Sequence, residues 1–122
     1  MIDKPIITTT NELGINNQKR EISELGKPAR TFVTPLMFDG NNSFCKINLE
    51  YGRTHQIRVH LSNISHALVG DELYGKKSEL ISHAALVCAK MTIINPLTNK
   101  KIEIGIDLPN DFKKIFNLPI SI

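Results

Sequence analysis

Gly52-Arg53-Thr54-His55-Gln56-Ile57-Arg58-Val59-His60 follows directly on an alternating, strand-like run and gathers two arginines, two histidines and a glutamine in one short stretch. So many hydrogen-bond donors are costly to bury without partners and natural at a site that binds anions. Thr54 is placed to cap a helix running to about Asn63. On that helix Ile57, Leu61 and Ile64 recur at helical spacing and are expected to pack on a sheet. His55, Arg58 and Ser62 fall on another stripe.

Upstream, residues 44–51 alternate Cys45, Ile47, Leu49 and Tyr51 with Lys46, Asn48 and Glu50, the pattern of a half-buried strand. Residues 29–38 read as its partner, with Phe32, Leu36 and Phe38 on one side. Pro35 makes that strand an edge or a bulged one, because proline cannot donate to the ladder. Asp39-Gly40-Asn41-Asn42 is the turn between them. Residues 1–25 are polar, show no sustained period and read as an arm; Gly26-Lys27-Pro28 marks its boundary. Downstream comes a loop with Gly70 and Gly75, then a long apolar strand over residues 83–94. Asn95-Pro96-Leu97-Thr98-Asn99 turns the chain into a second alternating strand, residues 101–108. Pro109-Asn110-Asp111 opens a short final helix with Phe112, Ile115 and Phe116 inward. Two hairpins separated by a helix predict an α+β fold on an antiparallel or mixed sheet.

The 122 residues make one domain or part of one. No apolar run approaches the roughly 18 residues of a membrane helix, and residues 1–4 lack the apolar stretch of a signal peptide. The reading is a cytoplasmic protein with no membrane partner. Cys45 and Cys88 each sit in an apolar strand pattern, as reduced core thiols do. The net charge of +3 and pI near 9.0 lean toward a polyanionic partner. Basic residues come in groups, including Lys19-Arg20 and Lys76-Lys77, for which solvated turns are the simpler reading. The histidine and cysteine spacings match no usual zinc pattern, so no metal is expected.

The stretch quoted first resembles the last motif of the RluA-type RNA pseudouridine synthases. The resemblance continues through Ser65-His66-Ala67-Leu68-Val69-Gly70-Asp71-Glu72-Leu73-Tyr74-Gly75. It extends to Ile2-Asp3-Lys4-Pro5-Ile6, Gly26-Lys27-Pro28-Ala29-Arg30-Thr31, His83-Ala84 with Asn95-Pro96, and Leu108-Pro109-Asn110-Asp111-Phe112. It implies that the chain is part of the family's mixed or antiparallel sheet, with one motif helix and a short C-terminal helix. It also implies isomerisation of uridine in ribosomal or transfer RNA, without metal or organic cofactor. An aspartate acts on the uridine, and an arginine matching Arg58 pairs with it. A neighbouring guanidinium keeps a carboxylate ionised and oriented.

The family's His-Arg-Leu-Asp motif, which carries that aspartate, is absent from these residues. Asp3, Asp39, Asp71, Asp107 and Asp111 stand in no comparable motif, and the family's Val-Gly-Asp loop around Asp71 is structural. The expectation is therefore a C-terminal half of the catalytic domain, residues 26–122, with residues 1–25 continuing from an absent N-terminal half. It would be inactive alone, and a separately encoded N-terminal half is one possible partner; a non-catalytic RNA-binding module keeping the fold is the alternative. Arg58 is the expected catalytic arginine, and Arg53, His55, Lys76 and Lys77 are expected on the RNA. For Arg53 a phosphate and a carboxylate such as Glu50 are both open partners. His55 and Gln56 also suit hydrogen bonds that fix the turn into the helix, and His60 and His66 suit shaping the loop. Tyr51, Ser65, Ala67, Glu72 and Ser82 depart from the family's usual residues.

Overall fold

The computed structural model describes residues 1–10 and 16–115. Its elements in chain order are β1 (Ile2–Asp3), β2 (Ile6–Thr10), β3 (Asn16–Ile22), β4 (Arg30–Phe38), β5 (Ser43–Glu50), α1 (Gln56–Asn63), β6 (Lys90–Ile94), β7 (Lys101–Gly105) and α2 (Asn110–Lys114). Every strand pairing is antiparallel, so the molecule is α+β. Among the described residues no helix is long and apolar enough to cross a membrane.

β4 is rich in β-branched and aromatic residues, which suit a pleated surface, and it pairs with β5 from Arg30↔Glu50 to Phe38↔Ser43. The register shifts between Pro35 and Met37, so the proline falls at an irregularity where a ladder donor is not needed. The turn is closed by Asp39, whose Oδ1 accepts from the backbone N–H of Asn41 and Asn42 at 2.8 and 2.7 Å. Gly40 takes φ +100° there, a conformation open to glycine and strained for side chains.

Residues 1–10 and 16–25 are not the irregular arm expected from composition, and residues 11–15 of that arm lie outside the described residues. β1 joins the main sheet in the order β1-β4-β5, with Ile2 opposite Thr31. β2 and β3 form their own hairpin, with Ile6 opposite Ile22. Ile6 is buried in a core cluster with Ala29 and Val59, against which Ile22 and Tyr74 pack. Gly26 lies so close to Ile6 that a Cβ there would meet its backbone at 2.5 Å. The run Ile6-Ile7-Thr8-Thr9-Thr10 is wholly β-branched, so the strand preference was present in the sequence. Its ladder partner β3 is the next strand, but its core partners Ala29 and Val59 are distant, and a polar average hid the preference.

Helix α1 departs from expectation in two ways. Thr54 does not cap it: the helix starts after His55, which sits in the left-handed region at φ 56° with no side-chain cap. Its buried residues are Gln56, Val59, His60 and Leu61, while Ile64 is exposed. Of the expected Ile57-Leu61-Ile64 stripe only Leu61 is buried, and all three border an open groove. The polar face is buried because each polar group is satisfied. Gln56 Nε2 donates to the Arg30 carbonyl (2.8 Å) and to Thr31 Oγ1 (3.2 Å). Gln56 Oε1 accepts from the Arg53 N–H (2.9 Å). His60 Nε2 faces the Lys4 carbonyl at 2.8 Å and must donate to it. Its Nδ1 therefore accepts from the Thr31 hydroxyl, 2.7 Å away. These bonds tie β1, β4 and α1 together.

The expected strand over residues 83–94 is ordered as a strand only from Lys90; before that the chain is irregular, held by Ala85 N–H to the Val69 carbonyl at 2.8 Å. β6 and β7 pair regularly, but every residue of both is exposed. Neither cysteine is fully buried as expected for core thiols: Cys45 is half-buried and Cys88 exposed, and both are free. In α2, Phe112 packs edge-on against the buried Phe44, with ring centroids 5.8 Å apart. Phe116 lies outside the described residues.

Candidate functional site

The left-handed turn at His55 launches α1 so that Arg58, on its first turn, points across to the loop after Gly70. That loop is held tight: a Cβ on Gly70, at φ +78°, would lie 2.3 Å from the His83 carbonyl oxygen. Arg58 and the loop meet in a two-pronged ion pair. Arg58 Nε donates to Asp71 Oδ2 at 2.9 Å and Nη2 donates to Oδ1 at 2.7 Å. The Asp71 side chain has no solvent exposure, and Arg58 keeps about a quarter of its own (24%). Asp71 Oδ1 also accepts from the backbone N–H of Leu73 and Tyr74, at 3.2 and 3.3 Å. Burial pushes the Asp71 carboxyl up, but Arg58 and these N–H groups outweigh it and hold the carboxyl below its ordinary value. The hydrogen bond to Asp71 in turn raises Arg58.

Tyr74 lies beneath this pair. The Arg58 guanidinium sits 5.1 Å from its ring centroid and Lys19 Nζ 6.0 Å. The Tyr74 hydroxyl accepts the Arg20 backbone N–H at 2.8 Å and shares a 2.7 Å hydrogen bond with His55 Nδ1. The Tyr74 carbonyl accepts from Ser62 Oγ at 2.6 Å, fastening the loop to α1. Burial, with Arg58 and Arg20 nearby, lowers the pKa of His55. The cluster brings together residues 19–20, 55–58 and 71–74, three segments far apart in the chain.

Arg58, His55 and Asp71 border a cleft of about 310 Å³ whose far wall carries Ser82, His83 and Ala84. That volume is at the small end of ligand sites. Arg58 carries more N–H groups than the two given to Asp71, so a guanidinium already oriented and charged still has donors for an anion. His83 Nε2 pairs with Asp111 Oδ2 at 2.8 Å, which links the cleft wall to α2. Bonding to the Ala84 carbonyl and then to Asp111 raises the pKa of His83. Among the described residues no three His, Cys, Asp or Glu side chains converge to hold a metal ion.

The other expected site residues are spread out. Arg53 does not pair with Glu50, which bonds Arg30 instead at 3.2 Å. Arg53 Nε donates to the Pro28 carbonyl at 2.8 Å, and its guanidinium covers the Tyr51 ring at 5.1 Å. Lys76 and Lys77 border the apolar groove and not the cleft. His60 is a buried link between β1, β4 and α1, not part of the loop after α1. Asp71, read only as a structural residue of the Val-Gly-Asp loop, and Tyr74, read only as part of the stretch after it, are the residues whose place in the site was missed. Local pattern offers no signal for them, since Asp71 and Arg58 meet only through a loop 13 residues on.

A sequence model described as RNA pseudouridylate synthase matches residues 2–63. A Zymomonas mobilis protein named ribosomal large subunit pseudouridine synthase D is 33% identical over 96% of this chain and 39% of its own length. A Bacillus subtilis protein named as an RNA pseudouridine synthase is 36% identical over 80% of this chain and 33% of its own. A Helicobacter pylori protein with the same description is 44% identical over 65% of this chain and 28% of its own. The chain thus spans about 28 to 39% of the length of these curated relatives. With half of its residues under the family's model and the arginine motif intact within that half, the chain belongs to the RNA pseudouridine synthase family, RluA type.

Proposed function

We propose that this chain supplies the arginine side of the active cleft of an RNA pseudouridine synthase, acting on uridine in ribosomal or transfer RNA, and is inactive alone. In this reading residues 26–122 are the C-terminal half of the catalytic domain, with β1 and the β2–β3 hairpin fastened to it. The observation that carries the proposal is the Arg58–Asp71 fork at an open cleft. Asp71 commits both oxygens to Arg58 and backbone N–H groups and is no free base or nucleophile. It aims a charged guanidinium whose spare donors suit a second carboxylate, the catalytic one contributed by residues beyond these. Arg58 would hold the catalytic carboxylate ionised and oriented before it acts on the uridine; the C1′–N1 bond then breaks, the uracil turns, a C1′–C5 bond forms, and the proton lost from C5 is balanced by one gained at N1. Lys19 and Arg20, grouped near Tyr74, extend a basic surface beside the cleft for the RNA backbone, with His55 beside them as a neutral hydrogen-bonding group, and Arg53 lies along the same motif.

The test is pseudouridine formation on ribosomal and transfer RNA, by the pure chain and by the chain mixed with a polypeptide carrying the family's aspartate motif. Turnover only in the mixture is expected. Turnover by the pure chain overturns the reading. The grouping of Lys19, Arg20 and Arg58 at Tyr74 also favours the second reading, a non-catalytic RNA binder. That reading gains if RNA binding is tight and salt-dependent while no mixture turns over.

A further inference from the structure

Between β5 and α1 the chain turns through Tyr51, Gly52 and Arg53. Tyr51 takes φ 64°, in the left-handed region that suits glycine and strains a bulky side chain, while Gly52 beside it does not. The turn is pinned by the Arg53 N–H, which donates to the Tyr51 carbonyl and to Gln56 Oε1, each at 2.9 Å. A tyrosine held there gains little from burial, because it stays 46% exposed. Its ring is instead covered by Arg53, whose guanidinium carbon lies 5.1 Å from the centroid. Arg53 is itself anchored: Nε donates to the Pro28 carbonyl at 2.8 Å, and its two terminal amino groups have no acceptor among the described residues. Glu50, the acid next to Tyr51, is paired with Arg30 at 3.2 Å. Tyr51 and Arg53 border neither the cleft nor the wider groove.

From these observations we infer that Tyr51 and Arg53 form a stacking platform for one unpaired base of an RNA strand, with the Arg53 amino groups on an adjoining phosphate. A ring and a guanidinium already stacked offer a flat π surface and an anion donor side by side, which are the two features a nucleotide needs. Glycine would serve the turn without strain, so the exposed tyrosine is kept for its side chain and not for the backbone. The base must be unpaired, since bases in a duplex already stack on one another. The net charge of +3 favours a polyanion. An aliphatic side chain of a protein partner would gain little on a surface outside both concavities, and an acidic peptide would use the cation but not the ring. Tyr51 is one of the residues at which the chain departs from the family's usual ones, so the platform is a feature of this chain. The inference rests on the reading of the chain as RNA-directed and deepens it, and it concerns binding alone.

The chain has two tyrosines and no tryptophan, so stacking on Tyr51 is read from tyrosine emission. The full 122-residue protein is titrated at low salt with single-stranded oligouridylate, with an RNA duplex and with polyglutamate. Only the single strand is expected to quench the emission. Tyr51→Gly, which relieves the φ, should bind the single strand more weakly by about tenfold or more, yet melt at or above the temperature of the parent. Tyr51→Asn, which also tolerates that φ, is the second variant of this kind. Tyr51→Phe keeps the ring and should keep the affinity while losing the quench. Absence of quenching overturns the inference. So do Gly and Asn variants that bind like the parent, a Phe variant as weak as they are, or equal quenching by duplex or polyglutamate. RNA binding that ignores the ring would leave the proposed function standing, whereas turnover by the pure chain would overturn that proposal and not the platform.

Discussion

Arg58 and Asp71 form a two-pronged ion pair, at 2.9 and 2.7 Å, in which the carboxylate is wholly buried and the guanidinium reaches an open cleft. The asymmetry gives the pair its character. Asp71 is the fixed anchor, held also by two backbone N–H groups, and Arg58 is the aimed group. A single buried carboxylate thus sets the direction of the charge presented to whatever occupies the cleft.

Asp71→Asn should therefore be costly for a change of so few atoms. It leaves Arg58 partly desolvated and without its counter-charge, which costs about 2–3 kcal/mol after discounting for the guanidinium's exposure. Urea denaturation of the two proteins checks this; equal midpoints would show that the pair adds nothing net.

Arg58→Lys tests the geometry of the fork. An ammonium can satisfy one Asp71 oxygen but not both in parallel, so a loss of about 1–2 kcal/mol is expected. In the completed enzyme the same change should remove most turnover. Full activity with Arg58→Lys would mean that the arginine does not pair with a catalytic carboxylate.

Tyr74→Phe separates the ring from the hydroxyl. The phenyl ring still lies under Arg58, but the Arg20 N–H and His55 Nδ1 lose their partner. We expect about 1 kcal/mol of destabilisation, and a larger loss of about 3 kcal/mol for Tyr74→Ala, which also empties the core beside Ile6 and Val59. Thermal melts of both variants distinguish these contributions.

Acid should weaken the fold in two stages. Burial lowers the pKa of His60 and of His55 below the ordinary 6.5. The unfolded chain then binds protons that the folded chain refuses. Stability is full above about pH 6.5 and falls as the pH drops through that value toward the folded pKa values. His83, raised, works in the opposite sense, but it is exposed at the surface and screened. Asp71, lowered, contributes above the ordinary carboxylate pKa of 3.8 and loses that contribution as the pH falls further. Denaturant midpoints between pH 8 and 3 should trace both declines. A flat profile from about pH 7 to 5 would contradict the neutral His60 bridge between Thr31 and Lys4.

The β4–β5 hairpin was legible because its signals are local: alternation, an Asp-Gly turn and a proline that lands at the register shift. The dense donor motif likewise stood out by composition alone, and Arg58 with it. What these signals specify is which residues prefer a strand, a turn or a helix.

Which face of each element is buried was decided by the tertiary structure. The helix following Gly52 has an aliphatic stripe and a polar one, and amphipathic spacing alone assigns the aliphatic stripe to the core. Here Gln56 and His60 are buried beside Val59 and Leu61, because Arg30, Thr31, Lys4 and Arg53 meet every hydrogen-bonding atom they place there. Residues 2–10 read as an arm until β4 and β3 supplied their ladders. Asp71 read as a loop residue until folding set it against Arg58. The sequence determined the local conformational preferences and the chemical groups on hand. The long-range pairings decided which of those groups could leave water, since a polar group enters a core only where a partner from elsewhere in the chain replaces its hydration.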